Sequence, residues 1–268
     1  MSEDHPGDSR EVLLVYCIFK ADGHAQAMSP SGVDGKPVQV VECDGLRAVV
    51  SKVNLSRYPV TAPKLTHLLA YEKVVETFHR NCCVLPMRYG SILEDELQLI
   101  EHLRRRDATY RSLLRKVGGC VEIGVHILLE TPAEQRRQSF QEPNSGKQER
   151  PSGRAYLEFR QAQYAEEDRA AEADATMIEL LRSAFAGLYV RCASGPARIP
   201  AGAHAAVRQK RTERRLLSLY FLIKREDEEP FGRALQRIRR RESGKLLMSG
   251  PWPPYNFCHA CDEGDDEE

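Results

Sequence analysis

The sequence predicts an α+β protein in two domains. The first is an N-terminal α+β domain with a mainly antiparallel sheet, the second a C-terminal ferredoxin-like (βαββαβ) domain. Three observations carry this. Asp44-Gly45 joins two β-rich runs, the signature of a two-residue hairpin whose central positions tolerate positive φ. Between residues 65 and 117 a helical pattern, a short apolar run at Val84–Met87 and a second helical pattern follow one another. Beyond Gly118-Gly119, strand and helix patterns read β-α-β-β-α-β, the split βαβ order of ferredoxin-like folds. The implied boundaries are a disordered leader at 1–10, domains at 11–118 and 119–250, and a Pro/aromatic tail with an acidic end at 251–268.

Taken in order, Glu11 to Phe19 (EVLLVYCIF) is a continuous apolar run of strand length, suited to a strand buried on both faces. After a Gly/Ser/Pro-bearing loop, Val38–Cys43 and Leu46–Val50 form the hairpin. Pro63 suits the first turn of a helix, and Leu65, Leu68, Tyr71, Val75 and Phe78 recur at helical spacing to about Arg80. Val84–Met87 reads as a short core strand whose end delivers Arg88 and Tyr89, with Gly90 freeing the turn. Ser91-Ile92-Leu93-Glu94 has the form of a capping box, so a single long helix is expected from Ser91 to Val117. Cys120–Glu130 is a strand, 131–153 a polar loop or linker, and Arg154 to about Arg191 a long helix. The Ala/Glu/Asp middle of that helix, 165–175, has little to bury and should stand in solvent. His204–Gln209, Arg215–Lys224 and Lys245–Met248 are strand candidates, and Phe231, Leu235 and Ile238 mark a short helix.

The charges exclude some classes. Lys plus Arg equals Asp plus Glu at 39 each, so no net field draws the chain to nucleic acid or a membrane surface. No apolar run reaches the roughly 18 to 20 residues of a membrane-spanning helix, and Met1–Arg10 lacks the apolar core of a secretory signal. A cytoplasmic location follows, where Cys17, Cys43 and Cys120 read as small core residues rather than half-cystines.

No set of residues has the spacing of an active site. Glu94, Asp95 and Glu96 are the acids of a first helical turn, no Gly-rich phosphate loop is present, and no histidine has a matched nucleophile. His126, within a strand, reads as a core histidine with its hydrogen bonds satisfied. Cys258-His259-Ala260-Cys261 resembles half a zinc site. A closed site needs four ligands, though, and no second pair stands nearby, so neither metal nor cofactor is assigned to Cys258, His259 and Cys261. The arginine runs at 104–106 and 239–241 fall on helices and read first as solvated faces. Residues chosen for a partner-binding or structural role are Arg88 and Tyr89 at the short strand, Arg208 and Arg211 in a basic turn, and Trp252 and Tyr255 in the Gly250–Phe257 (GPWPPYNF) stretch. Sealing the body of the protein is the preferred reading of that last stretch.

The LLVYCIF strand, the VLPMRYGSIL junction, VEIGVHI, SGRAYLEFR, RLLSLYFLIKRE and the closing GPWPPYNF together resemble the gas vesicle protein F/L family (GvpF/GvpL) over residues 11–257. The polar leader, the CHAC segment and the acidic tail depart from that pattern. The resemblance implies a non-enzymatic accessory protein of gas vesicle assembly. Its partners would be the small hydrophobic shell protein and other accessory proteins, and it would be found at the gas vesicle. A ferredoxin-like regulatory or nucleic-acid-binding module using the arginine-rich helices is the alternative.

Overall fold

The computed structural model describes residues 10–21, 30–55, 58, 63–130, 153–195, 214–241 and 245–258. Their central feature is β1 (Glu11–Lys20), whose residues Val12 to Phe19 are all buried. It pairs antiparallel with β3 (Leu46–Asn54), which pairs in turn with β2 (Gln39–Cys43). Asp44 and Gly45 close the hairpin at φ 49° and 81°, both in the left-handed region that a two-residue turn of this hand requires. On its other edge β1 holds β4 (Val84–Pro86) and β5 (Ile92–Leu93), completing a five-stranded antiparallel sheet.

Helix α1 (Leu65–His79) covers one face of this sheet, burying Tyr71, Val74, Val75 and Phe78 against Leu14, Tyr16, Cys17 and Phe19. Helices α2 (Glu96–Arg105) and α3 (Asp107–Val117) cover the other, setting Leu99, Leu103, Leu113 and Leu114 over Leu13, Val15, Ala48 and Val50. Two expectations fail here. Ile92 and Leu93 hydrogen-bond to β1 as a strand, so Ser91 does not open a helix. The cap lies four residues later: the Asp95 side chain accepts from the Gln98 amide at 2.8 Å, while Gln98 Oε1 accepts from the Glu94 amide at 2.7 Å. Sheet pairing at Leu13 and Leu14 outweighs a local cap worth about 1 kcal/mol. The expected single helix is also two, because Arg106 leaves helical geometry at φ −108°, ψ 14°.

A second antiparallel sheet has the order β7-β8-β6-β9, formed by β6 (Cys120–Glu130), β7 (Arg191–Ser194), β8 (Arg214–Lys224) and β9 (Lys245–Trp252). Helices α4 (Gly153–Ala184) and α5 (Glu228–Arg241) pack on one face of it. There Leu181, Phe185, Phe231 and Leu235 meet Val121, Ile123, Phe221 and Ile223, with the Phe185 and Phe231 rings stacked at 4.1 Å. Residues of α4 between 165 and 175 are exposed wherever their side chains are described, apart from half-buried Asp174. The helix stops short of Arg191: Gly187 turns the chain at φ 81°, and Val190 then donates to the Leu222 carbonyl as pairing with β8 begins. The strand anticipated at 204–209 and the loop at 131–152 lie outside the described residues.

The two sheets are not independent. One continuous apolar cluster runs from Leu13, Ile18 and Leu85 through Leu114 and Val117 to Cys120, Tyr220, Leu222 and Phe257. Across the junction Arg225 Nη2 donates to the His79 carbonyl at 2.6 Å and lies 3.1 Å from His79 Nε2. Burial, and then the adjacent guanidinium, lower the His79 imidazole to about 4, so it meets Arg225 as a neutral acceptor.

Candidate functional site

The segment from Val84 to Leu93 is built around a fault in β1. Between Val15 and Cys17 the register with β3 slips by one residue. Tyr16 is the additional residue, so Tyr16 and Cys17, although consecutive, both face α1. Opposite this bulge the edge strand also breaks. Val84–Pro86 pairs with Cys17–Phe19, Ile92–Leu93 pairs with Leu13–Leu14, and residues 87–91 loop outward between them. The backbone groups freed by the bulge find partners in that loop. Met87 N donates to the Tyr16 carbonyl at 2.9 Å, and Val15 N donates to the Ser91 carbonyl at 2.9 Å.

Tyr71 of α1 closes the arrangement. Its hydroxyl lies 2.9 Å from the Val15 and Met87 carbonyl oxygens, 3.3 Å from that of Tyr16 and 3.2 Å from that of Arg88. One phenolic proton therefore serves a ring of acceptors on β1 and on the 87–88 backbone, and full burial holds the phenol far from ionisation. Arg88 lies on the surface of this loop. Tyr89 is half-buried, edge-on to Tyr71 with centroids 5.4 Å apart and 5.1 Å from Tyr58. Tyr58 stacks in turn on His67 at 5.9 Å, and His67 Nε2 lies 2.9 Å from an Asp34 carboxylate oxygen. Gly90 turns the chain at φ 89°.

A second group of polar residues forms where the C-terminal stretch meets the body. Glu122 of β6 is 3% exposed. Its two carboxylate oxygens accept from the Asn256 amide at 2.8 Å and from Asn256 Nδ2 at 2.6 Å. Burial pushes the carboxyl up to about 7 against the pull of these two donors. Nearby, Tyr255 donates its hydroxyl to Glu72 of α1 at 3.2 Å, and burial raises Glu72 to about 7 as well. The 255–258 turn thus touches both halves: Phe257 enters the shared cluster, with Cys83 and Cys258 packed against it. Within the second sheet His126 lies 2.9 Å from the hydroxyls of both Ser218 and Ser249, which engages both ring nitrogens.

Of the residues singled out in the sequence, Arg88 and Tyr89 share the loop at the bulge. Tyr255 and Cys258 sit at the junction, and Trp252, half-buried, ends β9 opposite Glu122. Arg208, Arg211, His259 and Cys261 lie outside the described residues. The sequence reading missed the roles of Tyr16, Glu72, His79, Glu122 and Arg225. Glu122 alone carried a signal, as an acid inside an otherwise apolar strand.

Fold and site together define a protein of mixed helices and antiparallel sheets, with its distinctive polar residues spent on ties between elements. Its sequence matches the family described as gas vesicle synthesis protein GvpL/GvpF over residues 12–259, and the chain belongs to that family. It is 24% identical over 253 residues to gas vesicle protein L1 of Halobacterium salinarum, covering 91% of this chain and 89% of that protein. To gas vesicle protein F of a Streptomyces species it is 25% identical over 238 residues, covering 87% and 92%. The crystal structure of GvpF from Anabaena superposes with a TM-score of 0.71 at 19% identity, covering 94% of this chain and 97% of that one. GvpF from Microcystis aeruginosa gives 0.67 at 16%, covering 92% and 99%. Among the described residues no helix is long and apolar enough to cross a membrane.

Proposed function

We propose that the chain is a non-enzymatic, cytoplasmic accessory factor of gas vesicle assembly that binds the small hydrophobic shell protein, other accessory proteins, or both. The observation that carries this reading is the family match across residues 12–259. The physical need is plain. A shell that excludes water is built from subunits with a contiguous apolar face, and such subunits aggregate unless the face is covered before assembly. Strand addition at a sheet edge is one way to cover it. The edge strand β9, with Leu247 and Met248 exposed at 52% and 46%, supports that mode.

We further infer that the second half is a ferredoxin-like unit beginning near Gly119. The order β7-β8-β6-β9 with both helices on one face supports this. Arg88 and Tyr89 are read as structural, since the loop that carries them satisfies the bulge in β1.

The test is co-purification with the shell protein at moderate salt. Retention is expected, and its absence would overturn the reading. Nucleic-acid binding with a steep salt dependence would favour the regulatory alternative instead. Replacing Arg88 with alanine separates its two roles. A structural residue lowers the thermal midpoint and leaves retention of the shell protein by the folded fraction unchanged. Lost retention with an unchanged midpoint would make Arg88 a contact.

A further inference from the structure

The stretch from Pro253 to Cys258 is tied to both halves of the chain through two carboxyls. Pro253, Pro254 and Phe257 are buried, and Phe257 enters the apolar cluster that the two sheets share. Tyr255 donates to Glu72 of α1, on one half, at 3.2 Å. The next residue, Asn256, donates from its amide and its side chain to Glu122 of β6, on the other half, at 2.8 and 2.6 Å. Two backbone bonds close within the stretch itself: Tyr255 N donates to the Pro253 carbonyl at 2.7 Å, and Phe257 N to the Pro254 carbonyl at 3.1 Å. The stretch can therefore move as one piece. Before it stands Gly250 at φ 105°, where a Cβ would lie 2.7 Å from the Glu122 carbonyl oxygen, and this glycine marks the hinge. The groups facing Glu72 are Tyr255 from the stretch and Glu76 on its own helix. Those facing Glu122 are Asn256 and Cys258 from the stretch, with Leu222 of β8 and Trp252 of β9 beside it in the sheet. Behind Tyr255 are Tyr71 and Cys17, which burial keeps protonated. None of these groups is a cation, so an ionised Glu72 or Glu122 is an anion without a counter-charge at a partly apolar seam.

We propose that residues 253–258 form a latch that swings away from the body as pH rises through neutrality, baring part of the shared apolar cluster while both sheets stay folded. The sign follows from where each carboxyl prefers its proton. With the stretch docked, burial holds both Glu72 and Glu122 near 7; released into water, each returns to its ordinary 4.5. Between those values the docked state holds up to two more protons than the released one. Docking is therefore strongest below the ordinary value and is lost as pH rises through about 7. Tyr255 and Asn256 remain donors throughout, since the phenol stays protonated and the amides do not titrate. Two consecutive residues on one turn thus read the protonation of one carboxyl from each half.

Native-state hydrogen exchange on the full chain tests this. The amides of Tyr255, Asn256 and Phe257 are followed at pH 5.5, 6.5, 7.5 and 8.5, corrected for intrinsic exchange, with and without about 1 M urea. Leu219 and Leu222, fully buried in β8, report global unfolding. The latch amides exchange ahead of those two and respond little to urea, because the opening exposes few residues. Their protection falls roughly 50-fold between pH 5.5 and 6.5 and levels off above about pH 8, the slope set by two protons held on docking. Glu72→Gln reduces that fall to about sevenfold, and Glu72→Gln with Glu122→Gln removes it. Glu72 is only half-buried, so the single variant keeps the test available should the double one not fold. Latch amides that match Leu219 and Leu222 in protection and urea dependence overturn the proposal, because the stretch then leaves only when the whole chain unfolds. Protection constant with pH overturns it too, as does a fall that Glu72→Gln leaves unchanged. None of these outcomes depends on the shell protein.

Discussion

Replacing Glu122 with glutamine should change how stability depends on pH. In the folded protein the carboxyl sits near 7 instead of its ordinary 4.5, chiefly because burial penalises the anion. The sign follows from linkage. A carboxyl raised in the folded state contributes stability that is present in full below the unfolded value and lost as pH rises through about 7. At about 1.36 kcal/mol per pH unit the loss is about 3 kcal/mol. Glutamine keeps one acceptor for Asn256 but turns an NH2 toward the second donor, at a cost of about 1–2 kcal/mol at every pH. The variant should therefore be the less stable protein at pH 5 and should equal or exceed the native one at pH 8.5. Glu72, also near 7, titrates in both proteins and cancels in the difference. Thermal midpoints measured at pH 5, 6, 7 and 8.5 decide the matter. For a chain of this size the offset should swing by about 6–12 °C. An offset constant to within about 2 °C across that range would refute the assignment of a buried, near-neutral carboxyl to Glu122.

Two further outcomes follow from the first half of the chain. Tyr71→Phe removes the hydroxyl that bridges carbonyls of β1 and of the 87–88 backbone. It should cost about 1–3 kcal/mol in urea unfolding, with amide exchange at Met87 and Ser91 accelerated ahead of the rest of the sheet. Asp95→Ala should cost about 1 kcal/mol by loss of the helix cap, whereas Ser91→Ala should cost nearly nothing; the reverse ranking would restore the helix start to Ser91.

What could be read from the sequence was what local chemistry decides. The Asp44-Gly45 turn is legible because positive φ at two adjacent positions is a property of those residues, and it sets the β2–β3 register by itself. The strands at Cys120 and Arg214 are legible because apolar runs of that length have few other uses. Ser91 misled because a capping box is a local preference, and the decision was made by β1, nearly eighty positions away. The bulge at Tyr16 left no mark, since an extra residue in a strand buried on both faces changes neither its composition nor its hydropathy. Gly187 was visible, but Leu188 continued the apolar stripe of the preceding helix and concealed the turn. Arg88 and Tyr89 read in sequence as the end of a short strand; the strand stops at Pro86 and they lie in the loop that follows. What they end against was set by the bulge, and so could not be named.

Helix α1 shows most directly why the ties themselves were hidden. Its stripe Leu68, Tyr71, Val75 and Phe78 faces the first sheet and reads in sequence as an ordinary core face. Glu72 and His79, seven residues apart, form a second stripe on the same helix. By composition they read as solvent-facing, yet each receives a bond from the other half of the chain, Glu72 from Tyr255 and His79 from Arg225. Tyr71 and Glu72 are neighbours, so a single turn of α1 grips both the bulge in β1 and the docked C-terminal stretch. A carboxyl and an imidazole that would be unremarkable in water are useful here because burial favours their neutral forms. In those forms they can sit at a partly apolar junction without the cost of an unpaired charge. The junction between the halves is therefore held by hydrogen bonds whose protonation states lie within reach of physiological pH on the Glu72 and Glu122 side and far from it on the His79 side. Of the two sets of ties, acidity and alkalinity in the ordinary range act on the one at the C-terminal stretch.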